Sequence, residues 1–248
     1  MKTIPEVMTG TNLSDAWCAV VKKILDNPGK EITPLVLSIT DFSETNRVRE
    51  SLDNHLKQNN EHSIDTVAST IFPSELYALC KRDRSALYKQ YKKNLPRIYK
   101  LDKNNLKGTY FERLIAYDKE KNQLEIIISS IINDPSVRRS KLQASVFDPR
   151  FDHTDGPYQG FPCLQQISFY KNSTGGLILN SFYAIQLLYR KAYGNWLGLI
   201  NLGKFIAHET NLKFEQLNCY VGVEQLEIPK REAKEILSNI NRSIASVT

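Results

Sequence analysis

The chain lacks the marks of several protein classes. No apolar run reaches membrane-spanning length. The opening residues, Met1-Lys2-Thr3-Ile4-Pro5-Glu6, carry no signal-type apolar stretch. There are four cysteines in 248 residues (Cys18, Cys80, Cys163, Cys219), scattered and without CxxC spacing. They read as reduced thiols of a cytoplasmic protein, not as a disulfide framework or a zinc site. His55, His62, His153 and His208 have no metal-ligand spacing among them. No Walker or dinucleotide glycine pattern is present. There is no internal repeat and no low-complexity linker, so one domain spanning 1–248 is the simplest organisation.

A net charge of +6 favours anionic ligands in general. The densest basic segment, Lys81 to Lys100, interleaves Lys and Arg with Tyr88, Tyr91 and Tyr99. That mixture suits nucleic-acid contact. A solvated helix with its tyrosines on the core face explains it as well and is the favoured reading. Nucleic acid is therefore not expected as a partner, nor is a membrane.

Asn12 or Ser14 caps a helix through Trp17, Val20, Val21 and Leu25, stopped by Asn27-Pro28-Gly29. Ile32 to Phe42 reads as one strand, and Ser43-Glu44 opens a polar helix reaching about Asn59. Ser63 to Leu79 and Ser85 to Asn94 read as helices, the first broken by Pro73 and the second ended near Pro96. Asn122 to Ile132 is a strongly apolar helix.

From Lys141 the pattern turns strand-like, at Leu142–Phe147, Gln165–Tyr170, Leu177–Tyr183 and Leu217–Ile228. Lys171 to Gly176 makes a hairpin turn. Trp196 to Thr210 is too apolar all round for a surface helix and is expected to be buried. Lys230 to Ile244 is amphipathic. Helices first and antiparallel strands later define an α+β class.

The chemistry-bearing segments are few. Phe161-Pro162-Cys163 places a thiol after a proline at the head of the hairpin. A thiol held on a rigid strand end is a nucleophile for an electron-poor ring carbon, though a lone cysteine is more often structural. Asp134-Pro135-Ser136-Val137-Arg138-Arg139 presents two guanidinium forks suited to phosphate or carboxylate. With Gly108-Thr109-Tyr110-Phe111-Glu112-Arg113-Leu114, Asn122-Gln123-Leu124 and Gly194-Asn195, these segments in this order resemble the folate-dependent thymidylate synthase superfamily. That superfamily includes the pyrimidine nucleotide hydroxymethylases. The likeness covers roughly Gly108 to Glu227.

The resemblance implies a three-layer fold with a large mixed sheet and a buried central helix. It implies transfer of a methyl or hydroxymethyl unit from 5,10-methylenetetrahydrofolate to C5 of a pyrimidine nucleotide. By the same resemblance Cys163 adds to C6 and Tyr110 assists proton transfer near C5. Asn195 reads the pyrimidine edge, an amide being suited to uracil's acceptor and donor. Arg138 and Arg139 reach the phosphate in the other subunit of a homodimer.

Departures from the family are equally plain. Its Arg-Ser-x-Asp motif is absent. Counting back from Asn195 puts the Arg position on Ala184 or Tyr183, whereas aligning on the nearest arginine selects Arg190, with Lys191 and Tyr193 where Ser and Asp belong. The gap-free count is preferred because it also places Ala207 and Leu212. The sugar-reading Asp-x-His-x-Tyr becomes Val223-Glu224-Gln225-Leu226-Glu227, in which Gln225 and Glu227 keep hydroxyl-binding capacity. Glu75 is the candidate for the water-organising glutamate, and is equally a helix N-terminal carboxylate. These losses keep a catalytically inert nucleotide-binding or interaction protein on the same scaffold, and an enzyme acting on a non-nucleotide substrate, as alternatives.

Overall fold

The computed structural model describes residues 4–134, 136–156 and 163–245. Seven strands form one mixed sheet: β1 (Glu6–Gly10), β2 (Glu31–Ile32), β3 (Leu35–Ile39), β4 (Gln143–Ser145), β5 (Leu164–Lys171), β6 (Gly176–Leu187) and β7 (Lys213–Gln225). Their order is β1-β3-β7-β6-β5-β4, with β2 paired to β7. The β1/β3 and β6/β7 pairs are parallel and the others antiparallel. Ten helices are described: α1 (Leu13–Asp26), α2 (Asn46–Gln58), α3 (Ile64–Ser69), α4 (Ser74–Leu79), α5 (Arg84–Leu101), α6 (Tyr110–Ile115), α7 (Gln123–Asn133), α8 (Pro149–Asp152), α9 (Tyr193–Glu209) and α10 (Lys230–Ala245). Among the described residues no helix is long and apolar enough to cross a membrane.

The fold is mixed α and β, but four local readings change. The span from Ile32 to Phe42 is two strands, parted at Thr33-Pro34, where proline has no N–H for the ladder. Strand β1 has no counterpart in the sequence reading. The two longest strands, β6 and β7, run parallel and are joined through α9, a βαβ crossover where the sequence reading had antiparallel strands. Helix α5 continues through Pro96 to Leu101. Proline there removes one interior hydrogen bond, and Pro96 lies on the exposed side of the helix. Leu95 before it and Ile98 after it pack on the core, and the Tyr99 hydroxyl donates to Glu112 Oε1 at 2.5 Å.

Helix α9 is the buried centre. Only Asn201, Lys204, His208 and Glu209 escape burial along its length. It lies between the sheet and α3. A Cβ at Gly194 would meet Val67 Cβ at 2.6 Å, and one at Gly198 would meet the Ala68 carbonyl at 2.7 Å. Two glycines one turn apart thus set the α3–α9 approach. Helix α1 holds the head of α9: Trp17 Nε1 donates to the Leu188 carbonyl at 3.0 Å, and the Ser14 and Tyr193 hydroxyls are 2.8 Å apart.

The other face of the sheet has no helix layer among the described residues. A polar ladder crosses it. Gln216 donates to Ser38 and Asn218, Asn218 to Asn180, and Asn180 to Ser168. Phe182 and Tyr220 lie beside this ladder, 41% and 44% exposed, with ring centroids 5.5 Å apart.

One ion pair ties α6 to α8. Arg113 grips both carboxylate oxygens of Asp152 at 2.5 and 2.7 Å and also donates to the Lys107 and Val146 carbonyls. Asp152 is 1% exposed. Breaking one partner of a buried pair costs about 3–5 kcal/mol. Arg113→Ala is therefore expected to lower the melting temperature by on the order of 10 °C for a chain of this size. Thermal circular dichroism checks it, and a shift within about 2 °C would show the pair to be dispensable.

Candidate functional site around Cys163

Cys163 sits immediately before β5, half-buried, with its carbonyl accepting from Ala184 N at 3.1 Å and from Gln165 Nε2 at 3.3 Å. Phe161 and Pro162 of the same motif lie outside the described residues. Tyr110 opens α6, where Thr109 and Glu112 form a reciprocal capping box. The Thr109 hydroxyl is also 2.6 Å from that of Tyr91, so α5 braces the cap. This places the Tyr110 hydroxyl against the backbone amides of Cys163 and Leu164. Burial raises the Tyr110 pKa, the Cys163 thiol adds to the rise, and the two amides oppose it.

Burial pushes the Cys163 thiol up, and the Lys191 ammonium opposes that rise. Lys191 lies in a π-helical turn, Leu188–Ala192, that leads into α9. Burial lowers its own pKa, with Glu61 countering. Thiol, phenol and amine are thus gathered at the end of one strand.

Behind them is a buried polar group. From Leu177 in β6 and from Leu217 in β7 the strands alternate regularly until Tyr183 and Val221, then both change phase. Tyr183 and Gln186 point inward three residues apart, as do Val221 and Glu224, while Ala184 and Ile185 are exposed. Gly222 permits the change, because a Cβ there would meet the Ala184 carbonyl at 2.7 Å. Gln186 and Glu224 face each other in register. Among the described residues, the Tyr183 hydroxyl, both polar atoms of Gln186 and both Glu224 oxygens are buried without a hydrogen-bond partner, and Trp196 Nε1 has only the Cys219 thiol beside it. Burial raises the Glu224 pKa well above the carboxylate range, and Glu227 adds to the rise. Burial likewise lifts Cys219 to about 12, with Ser181 opposing.

The other candidates fall in different places. Of the two residues offered by counting back from Asn195, Tyr183 points inward, opposite Leu164 and near Cys163, and Ala184 is exposed. Asn195 is buried in the first turn of α9. Arg190 and Glu227 are engaged with each other: Glu227 accepts from the backbone N–H groups of Tyr189 and Arg190 at 3.2 and 2.7 Å and from Arg190 Nε at 3.3 Å. Both close the turn ahead of α9. Gln225 donates to Glu31 across the edge of the sheet. Glu75 is exposed in the first turn of α4, where the helix dipole favours it. Arg138 and Arg139 are exposed, and the Arg139 guanidinium lies 4.4 Å from the centroid of the Tyr170 ring on the open face of the sheet.

Cys163 and Tyr110 are therefore brought together, and Lys191, Gln186 and Glu224 join them without having been singled out as site residues. Lys191 had been read only as the occupant of the alternative register. Among the described residues no His/Cys/Asp/Glu group could hold a metal ion. Two surface concavities, one at Glu125, Ser129 and Lys141 and one at Asn46, Arg49 and Asp53, do not include Cys163. The chain matches no protein-family model, and no curated protein matches it either.

Two outcomes follow from these environments. Lys191→Met removes the cation that opposes the rise of the Cys163 thiol, so alkylation of Cys163 by iodoacetamide at pH 8 is expected to slow several-fold and its pH profile to move upward. Peptide mass spectrometry resolves Cys163 from the other thiols, and an unchanged profile would remove Lys191 from the site. The second concerns Glu224, which stays protonated in the fold above the pH at which it ionises in the unfolded chain. Its stabilising contribution is full below the unfolded pKa of about 4.3 and is lost as pH rises toward the raised folded value. Glu224→Gln should match wild-type stability near pH 4 and exceed it at pH 8. Equal pH dependence of the two proteins in urea unfolding would contradict a neutral buried carboxyl.

Proposed function

We propose that this protein is a thymidylate synthase-like transferase that activates a pyrimidine nucleotide by adding the Cys163 thiolate to ring carbon C6. The observation that supports this most is the grouping of Cys163 with the Tyr110 hydroxyl and the Lys191 ammonium at the end of β5. In the proposed step a sulfur–carbon bond forms at C6, and the electron pair of the C5–C6 double bond moves to C5 and the adjoining carbonyl. C5 becomes nucleophilic toward a one-carbon unit. Lys191 favours the thiolate, and Tyr110 holds or moves a proton near C5. Elimination of the thiolate at the end restores the ring. Asn195 would read the pyrimidine edge.

By the resemblance the one-carbon donor is 5,10-methylenetetrahydrofolate. Neither of the two surface concavities is lined by Cys163, and neither is assigned to the folate. The homodimer belongs to the same proposal. Arg138 and Arg139 are exposed, and Arg139 sits on the face of the sheet left open beside Phe182 and Tyr220. A sheet-to-sheet dimer would cover that face and carry the arginines toward the partner's phosphate site.

A second reading, an inert nucleotide-binding or interaction protein on this scaffold, draws on different observations. Counting back from Asn195 leaves the buried Tyr183 or the exposed Ala184 where the family has its phosphate arginine, and Arg190 is held by Glu227.

Intact-mass spectrometry after incubation with 5-fluoro-dUMP, 5-fluoro-UMP and 5-fluoro-dCMP, with and without methylenetetrahydrofolate, separates these readings. The expected result is an adduct on Cys163 with one of the three, abolished in Cys163→Ser while calorimetric affinity stays within about tenfold, roughly 1.4 kcal/mol. Binding without an adduct supports the inert scaffold, and no binding of any of the three removes both nucleotide readings. A monomer by light scattering at micromolar concentration would dismiss the role of Arg138 and Arg139 across subunits.

A further inference from the structure

We propose that the outer face of α5 binds the phosphate backbone of double-stranded nucleic acid without sequence preference. Residues 81–107 carry ten Lys and Arg against two Asp, so this stretch holds more than the whole +6 net charge of the protein. Within α5 there is no Asp or Glu. At 100° per residue, Lys89, Lys92, Lys93, Arg97 and Lys100 fall within an arc of about 140°. Leu87, Tyr88 and Tyr91 are buried on the opposite side, with Leu95 and Ile98 packed beside them. All five cations are exposed, and none forms an ion pair among the described residues. Arg84, at the start of the same helix, is by contrast held by Glu125 and Glu209. Lys103 and Lys107 extend the basic surface past the helix end.

The geometry fits a row of phosphates. Lys89 to Lys100 spans about 16 Å of helix. One strand of duplex DNA places a charge every ~3.4 Å of axis, so this length faces about five phosphates. The tyrosines that suggested base stacking are unavailable: Tyr88 and Tyr91 are in the core and the Tyr99 hydroxyl is bound to Glu112. Contact is thus limited to the backbone, which favours a duplex over an unstacked single strand. An anionic membrane fits less well. The apolar side of α5 faces the protein interior, and among the described residues the large apolar side chains exposed near it are the scattered Leu79, Leu101 and Leu106, too little for insertion at an interface.

Fluorescence anisotropy of the full chain with a fluorescein-labelled DNA duplex of about 20 base pairs, from about 50 to about 200 mM KCl, tests this. Five contacts give a slope of log K against log salt of roughly −4 to −5, a loss of several hundredfold across that range. Lys89→Glu/Lys93→Glu/Lys100→Glu should weaken binding by tens of fold and flatten the slope by about three. A Gln triple at the same positions should move in the same direction, and far-ultraviolet circular dichroism confirms the fold of both. A control with the same charge change at the exposed Lys22, Lys57 and Lys234 should stay close to wild type. The proposal is overturned if the wild type does not bind at the lowest salt, or if the control loses as much as the stripe variant. It is also overturned if vesicles containing phosphatidylserine compete better than duplex at equal phosphate.

Discussion

A helix buried on every side must be approached closely on every side, and α9 meets that demand with backbone. Glycines at 194 and 198 let α3 come within contact distance, which larger residues would forbid without moving Val67 or the Ala68 carbonyl. The opposite side carries Trp196 and rests on the sheet, next to Cys219. Because β6 and β7 are parallel, the chain must cross over between them, and α9 is that crossover. Its entry turn carries Lys191 to the thiol at the head of β5. Displacing α9 would therefore disturb the parallel pair and the Cys163 surroundings at once.

The interior next to that turn is where stability is given up. Among the described residues, Tyr183, Gln186 and Glu224 keep polar atoms buried and unpartnered. Each costs about 1–3 kcal/mol. Together they rival the net stability of a typical domain, about 5–15 kcal/mol. An apolar core would be the easier solution, and the surrounding core is apolar: Leu164, Leu188, Val221 and Leu226 are essentially inaccessible. The polar group is confined to the phase change in β6 and β7, one strand away from Cys163. Neutral Glu224 also keeps a second charge out of a region whose nearby cation is Lys191, so burial and one amine set the thiol's electrostatics.

What could be read from the sequence was local. Asn12 as the cap of α1, the apolar run of α7, the Asn172-centred hairpin turn and the burial of α9 all follow from neighbours a few residues apart. Cys163 and Tyr110 were legible because each belongs to a short ordered motif. The parts that were missed depend on distant pairing. Strand β1 is five residues long and is a strand only because β3 lies beside it. A strict two-residue period points Gln225 inward, but the shared phase change sends Glu224 there instead. Arg190 and Glu227 look like two free ligand groups in the sequence. They are 37 positions apart and in the fold serve each other.

Helix α5 joins the two ends of the functional argument. On its inner face, Tyr91 and Tyr99 hold Thr109 and Glu112, the two residues of the capping box that orients Tyr110 beside Cys163. On its outer face, five cations stand without counter-charges. Packing of Leu87, Tyr88 and Tyr91 keeps the helix in place, and its described contacts form one arrangement. Helix α5 is therefore a strut: it presents charge on one side and fixes the Tyr110 phenol on the other, two tasks that share a scaffold.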